Sequence, residues 1–333
     1  MEKESANRIF RLSRPARKPV ARISAAAIIL LSFSVSVACA ADKLRVGRVN
    51  PRSFNFGMLD AGIKRGIFQK YELEIALVDI PGGAKLHQAM TAGSIDVAMG
   101  GGTDLPFLIK GAPEKAVAVM QTNPANLAFI VKSDSPIKTL GGLKGKSVGA
   151  TTVGSLTSWI AMEVARRQGW GADGVKLVYL GDMSGMLAGL TTGAIDAASG
   201  NLEVSYALQG EGKFRILLKG GDLIRDFVAG IIYASDLTIA GQPDALRRFL
   251  KAWFETVAYI HNNKPEVIQM MANIMSASPN VTENIYDDEM PSMSLDGRFE
   301  QKSLHALEQA LVDVGLIDKM PDDSGLINQA FLP

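Results

Sequence analysis

A series of short loops carries the residue types that could hold a small polar molecule. Arg52-Ser53-Phe54-Asn55 offers a cation, a hydroxyl, a ring and an amide in consecutive positions. Pro81-Gly82-Gly83, Gly100-Gly101-Gly102-Thr103-Asp104 and Thr122-Asn123 follow, and then Thr151-Thr152-Val153-Gly154-Ser155, Gly181-Asp182-Met183 and Gly200-Asn201-Leu202-Glu203. Glycines let a ligand approach the backbone closely, and Ser, Thr and Asn supply adaptable hydrogen bonds. Arg52 is the cation that could face an anion. Each residue also has a structural reading. Ser155 is a natural helix cap, Gly100–Gly102 could be a tight turn, and Phe54 fits a core position as readily as a ligand contact. This is the chemistry of recognition. Groups that break bonds are not assembled: His87, His261 and His305 are scattered without metal-ligand spacing, and no Gly-x-Ser-x-Gly elbow occurs. Leu140 to Ser147 resembles the end of a phosphate-binding loop, but Leu140 replaces its first glycine and a strand follows instead of preceding it. No catalytic residue, metal site or cofactor is expected.

The elements that must position these loops alternate. Short apolar runs read as strands at Leu44–Val49, Leu73–Val78, Val97–Met99, Ala116–Met120, Leu127–Val131, Ser147–Ala150, Lys176–Leu180, Ala197–Ser199, Phe214–Leu218 and Gly230–Tyr233. Helical windows lie between them, which argues an α/β fold with mostly parallel sheets. After Pro243 the pattern is nearly all helical, with Leu246, Phe249, Leu250, Trp253 and Val257 on one face. In open α/β sheets, ligands bind outside the carboxyl ends of strands, and every loop named above follows one of these strands.

One unit is written twice. Leu86–Gly101 reads LHQAMTAGSIDVAMGG and Met186–Asn201 reads MLAGLTTGAIDAASGN, with Gly93/Gly193, Ile95/Ile195 and Asp96/Asp196 in register. Each predicts a helix closed by a left-handed glycine, a turn braced by the aspartate, and a short strand. Phe129–Asp134 and Ile231–Asp236 form a second echo, read as two crossovers and a hinge. Two lobes are expected: 42–130 with 235–333, and 131–230.

Residues 1–40 read as an export signal. Seven basic and two acidic side chains give them a net charge of +5; against +1 for the whole chain, the remainder is −4. A mildly acidic body gives no reason to expect nucleic-acid binding. The apolar run Ile23–Val37 is short for a membrane span, and Ala38-Cys39-Ala40 suits cleavage after Ala40. Cys39, the chain's one cysteine, lies in that segment. Ser36–Cys39 also resembles a lipobox, so a lipidated Cys39 is the alternative.

Taken together, Gly62–Phe68 (GIKRGIF), Ala89–Met99 (AMTAGSIDVAM), Ile137–Gly149 (IKTLGGLKGKSVG), Ala188–Ala197 (AGLTTGAIDA) and Leu311–Ile317 (LVDVGLI) resemble the nitrate/sulfonate/taurine-type periplasmic solute-binding proteins, which include receptors for thiamine pyrimidine precursors. The resemblance implies a two-lobed type II periplasmic-binding-protein fold, a small anionic or heteroaromatic ligand, and delivery by a monomer to the membrane permease of an ABC importer. It also implies ligand contacts from Ser53–Asn55, Gly101–Thr103 and Thr151–Ser155. The Gly100–Gly102 triplet departs from the family pattern and could open its loop to a bulkier ligand. Two alternatives share the fold: a sensory or adaptor receptor, and an enzyme like thiamine-pyrimidine synthase, which is intracellular and cysteine-rich where this chain is neither.

Overall fold

The computed structural model describes residues 41–80, 82–153, 155–171 and 174–333. The export signal, its cleavage site and Cys39 lie outside the described residues, as do Pro81 and Gly154. Ten strands form where the apolar runs predict them: β1 (Asp42–Arg48), β2 (Leu73–Asp79), β3 (Val97–Gly101), β4 (Glu114–Gln121), β5 (Leu127–Lys132), β6 (Ser147–Ala150), β7 (Lys176–Tyr179), β8 (Ala197–Asn201), β9 (Phe214–Lys219) and β10 (Gly230–Ser235). They make two five-stranded sheets, ordered β2-β1-β3-β10-β4 and β7-β6-β8-β5-β9. The orders match position by position. In each, the fourth strand is the antiparallel one: β10 beside β3 and β4, β5 beside β8 and β9. The echo Phe129–Asp134 and Ile231–Asp236 therefore marks equivalent strands.

Those two strands are not the crossovers. Both are hydrogen-bonded within sheets, so the chain passes between sheets at 122–126 and returns at 220–229. The expected division at 130/131 falls inside β5. An apolar strand ending in Ser-Asp reads the same whether it crosses or is paired, and sequence does not reveal its lateral partners.

The helices are α1 (Phe54–Lys64), α2 (Ile67–Lys70), α3 (Gly83–Thr91), α4 (Leu105–Ile109), α5 (Leu156–Arg167), α6 (Met183–Thr192), α7 (Leu202–Gly210), α8 (Gly220–Leu223), α9 (Asp236–Gly241), α10 (Pro243–Asn262), α11 (Lys264–Met275), α12 (Pro279–Glu289) and α13 (Gln301–Asp313). The stripe on α10 is real: Leu246, Phe249, Leu250, Trp253 and Val257 are fully buried. They join Phe54, Phe68 and Met271 in one cluster against the first sheet. Each large apolar side chain so buried contributes roughly 1.5–3 kcal/mol before entropy is counted. The second sheet carries its own cluster on one face, Ile130, Met186, Leu190, Ile195, Ala198 and Phe214.

The duplicated unit does the same job twice. Gly93 and Gly193 take φ of 68° and 79°, the left-handed region that favours glycine. Asp96 accepts from the Arg45 backbone N–H at 2.7 Å and binds its guanidinium; Asp196 accepts from the Ser147 N–H and hydroxyl at 2.9 and 2.8 Å. Each carboxylate thus ties its turn to the neighbouring parallel strand, mid-way along β1 and at the start of β6. Behind it, a Cβ on Gly47 or Gly149 would lie 2.6 Å from Cδ1 of Ile95 or Ile195, respectively. The repeat is a structural frame: both aspartates precede their strands, at the ends opposite the candidate loops.

Candidate functional site

Strand direction decides where the loops go. β1, β2, β3 and β4 end at one edge of the first sheet, and β6, β7, β8 and β9 at one edge of the second. Both passages, 122–126 and 220–229, join these same two edges. All the candidate loops therefore lie on the side where the sheets connect, which is where the topology of an open α/β sheet places a ligand.

Within that region the residues fall into three groups. The first joins the two halves. Ser53 and Asn55 are buried; the Ser53 hydroxyl donates to Asn55 Oδ1 at 2.8 Å, and Asn55 Nδ2 donates to Gln121 Oε1 at 3.2 Å. Gln121 Nε2 donates to the Ser292 hydroxyl at 3.0 Å, and the Thr122 hydroxyl donates to the Ser292 carbonyl. The Phe54 N–H donates to Glu203 Oε1 at 3.3 Å, across from the second sheet. Arg52 is exposed and lines a groove of about 730 Å³ with Asn50, Asn201, Glu203 and the apolar Val204, Leu208 and Met275. The side chain of Phe54 belongs to the core: it is fully buried, edge-on to Tyr286 at 5.9 Å.

The second group surrounds the glycine triplet. A Cβ on Gly102 would lie 1.9 Å from the Val228 carbonyl oxygen, and one on Gly83 would lie 2.0 Å from Asp104 Oδ1. These glycines admit protein atoms, so the triplet does not widen the loop for a bulkier ligand. Asp104 holds the loop by accepting from the Gly101 N–H at 2.9 Å, and Tyr233 donates to the Gly101 carbonyl at 2.8 Å. Beneath lies His87, buried, with Nδ1 2.6 Å from Glu114 Oε1 and Nε2 3.6 Å from Asp104. Burial opposes its charge, but Asp104 and Glu114 outweigh that and push the imidazole up to about 9. Gly82, at φ 86°, starts α3, and Thr103 is partly exposed.

The third group belongs to the second sheet. Ser155 caps α5, accepting from the Ser158 N–H at 3.3 Å, and its hydroxyl lies 2.8 Å from that of Thr157. Thr151 meets the same Thr157 hydroxyl at 2.8 Å, and Thr152 is exposed. Asp182 caps α6 by accepting from the Gly185 N–H at 2.9 Å. Asn201 precedes α7 and its side chain makes no cap. No hydrogen bond among the described residues joins this group to the loops of the first sheet.

Gln121, Ser292 and Glu289, a buried carboxyl at the end of α12 that interacts with Glu203, are the members that sequence reasoning passed over. Gln121 directly precedes Thr122 at the end of an apolar strand and could have been read with it. Ser292 and Glu289 lie 171 and 86 residues from their partners Gln121 and Glu203, with no motif to point to them.

The family model described as NMT1/THI5 like matches residues 53–267, most of both sheets and the loops between them. The chain belongs to the NMT1/THI5-like family. A curated protein of Escherichia coli (strain K12) named for binding aliphatic sulfonates is 26% identical over 280 residues, covering 82% of this chain and 84% of its own length. The crystal structure of the periplasmic aliphatic sulphonate binding protein from Escherichia coli matches this NMT1/THI5-like chain with a TM-score of 0.74 at 23% identity, covering 86% of this chain and 92% of that one. The alkanesulfonate-binding protein of Xanthomonas axonopodis pv. citri, bound to MOPS, matches with 0.70 at 20% identity, covering 86% and 98%. The fold is that of the periplasmic binding proteins. It also serves a desulfurization enzyme, matched with 0.62 at 16% identity over 86% of this chain and 97% of that one.

Proposed function

We propose that this NMT1/THI5-like chain is the exported solute-binding component of an ABC-type importer. It works as a monomer, captures a small anionic solute between lobes built on the two sheets, and presents it to a membrane permease. The observation that carries this reading is the convergence of polar, glycine-rich loops on the edges where the two sheets connect. The site offers hydroxyls, amides and backbone N–H groups, with Arg52 its one side-chain cation among the candidate residues; its carboxylates are engaged within the protein, Asp182 and Asp104 by backbone N–H groups and Glu203 by the Phe54 N–H. α5 starts in a hydroxyl-only cap, with no acidic residue in its first turn. Its positive end therefore favours an anion. The sulfonate-binding relatives support a sulfonate as the solute class.

Closure about 122–126 and 220–229 is the proposed mechanism. A ligand shifts that equilibrium only by its differential affinity for the closed state, and a swing from 1:99 to 99:1 needs about 5.5 kcal/mol. Charge-assisted hydrogen bonds at roughly 1.5–3 kcal/mol each can supply it. Isothermal calorimetry against alkanesulfonates, nitrate and heteroaromatic carboxylates tests this, with mass spectrometry of co-purified ligand. Micromolar or tighter binding of a sulfonate is expected; no binding across the series refutes the reading. The relatives named for binding support a receptor over an enzyme, and turnover of a bound solute by the purified protein would restore the enzyme reading.

A further inference from the structure

Glu203 and Glu289 bury two carboxyl groups where α7 of the second sheet meets the last turn of α12. Glu203 Oε1 accepts from the Phe54 N–H at 3.3 Å, while its Oε2 is buried without a partner. Glu289 is fully enclosed, and neither of its carboxyl oxygens has a partner among the described residues. The neighbouring Asp288 is satisfied: the Tyr206 hydroxyl donates to it, and Lys219 Nζ of β9 lies 2.6 Å away.

The charges on the surrounding elements are committed or distant. On α11, Lys264 binds Asp287 and Glu283. On α1, Asp60 is paired with Arg48, and Lys64 ends the helix whose first residue touches Glu203. Lys132 closes the far end of β5, whose start lies beside α7. Glu203 itself lines the groove that Arg52 and Glu211 share, and neither of these bonds to the pair among the described residues. Two carboxylates cannot both stay ionised in a dry contact without a cation. Burial pushes Glu203 up to about 7 against the N–H bonds it accepts. Burial, and then Glu203 and Asp288, hold Glu289 well above the carboxylate range.

We propose that contact between the two lobes is coupled to proton uptake by the Glu203–Glu289 pair, so that solute capture is favoured by acid and release by alkali. This rests on the receptor reading above. Parting α7 from α12 and α1 breaks the Glu203–Phe54 bond and hydrates both carboxyls, which then ionise at their ordinary range near pH 4.5. Closure takes the proton back. The closed form binds more protons, so it gains on the open form as pH falls from about 8 to about 5, and gains nothing further once both forms are protonated.

Carbon-13 NMR titration of glutamate carboxyls, with and without saturating 1-butanesulfonate, reads the pair in the closed and the open form. In the complex a carboxyl titrating near pH 7 is expected, lost in Glu203→Gln and kept in Glu289→Gln, and in the free protein both carboxyls are expected near pH 4.5. If no glutamate of the complex titrates above pH 6, the proposal is overturned. Calorimetry with 1-butanesulfonate at pH 7, in phosphate and in Tris, then reads the coupling. Uptake of roughly half a proton or more is expected, with affinity weakening up to about tenfold per pH unit above 7; both are abolished in the double Gln variant. Binding without uptake overturns the coupling and leaves the receptor reading intact. Absence of binding by any sulfonate counts against the receptor reading; a glutamate of the free protein titrating above pH 6 then keeps the buried pair, and none above pH 6 overturns it.

Discussion

Asp96 and Asp196 occupy the same place in the two sheets but not the same surroundings. The Asp96 side chain is 10% exposed and bonds a backbone N–H and a guanidinium; that of Asp196 is 38% exposed. Replacing either leaves a strand N–H unpaired, costing about 1–3 kcal/mol. Asp96→Ala is expected at the upper end and Asp196→Ala at the lower, read from urea unfolding, with solute affinity of the folded protein unaffected. A loss of affinity without a loss of stability would instead put the aspartates in the site. Their bracing role was legible because an aspartate after a left-handed glycine has few other uses. The cap role of Ser155 was legible for a similar reason: its partner lies three residues away; Asp182, read only as a loop residue, caps its helix in the same way. Glu289 was not, because what makes it unusual is burial against a residue 86 positions earlier.

Among the elements, glycines separate two kinds of constraint. Gly193 closes α6 at φ 79° with open space around it, so Gly193→Ala meets only backbone strain, about 1 kcal/mol. Gly102→Ala meets the Val228 carbonyl at 1.9 Å and must displace the 228–229 segment; about 3 kcal/mol is expected. Urea midpoints of the two variants check the order, and equal losses would mean that the crossover yields freely. Strands and helices could be read because apolar period and turn residues are local signals. Their lateral order could not, which is why β5 and β10 read as crossovers.

For the whole molecule, several buried groups bias stability toward acid. Burial, and a bond to Asp323, push Glu308 up to about 8. Like Glu203, it adds stability that is full below the ordinary carboxyl range and is lost as pH rises through its folded value. His87 adds stability that is full below about 6.5 and lost by about 9. In the other direction, Arg166 and Arg167 outweigh burial to hold Glu163 down, so its contribution fails below the ordinary carboxylate range. Maximum stability is expected near pH 5–6, with a melting temperature about 5 °C lower at pH 9, read by scanning calorimetry. A higher melting temperature at pH 9 contradicts this, and His87→Gln should flatten the upper part of the curve. The strand order has one more consequence, in time. All of the second sheet, β5 to β9, is contiguous from Leu127 to Lys219, but the first has a gap between β3 and β4 that only β10 fills. A chain emerging amino end first can therefore finish its second sheet while the first still lacks a central strand. Some 230 residues must be made before that strand arrives, so the first sheet stays open, with strand edges exposed, through most of synthesis.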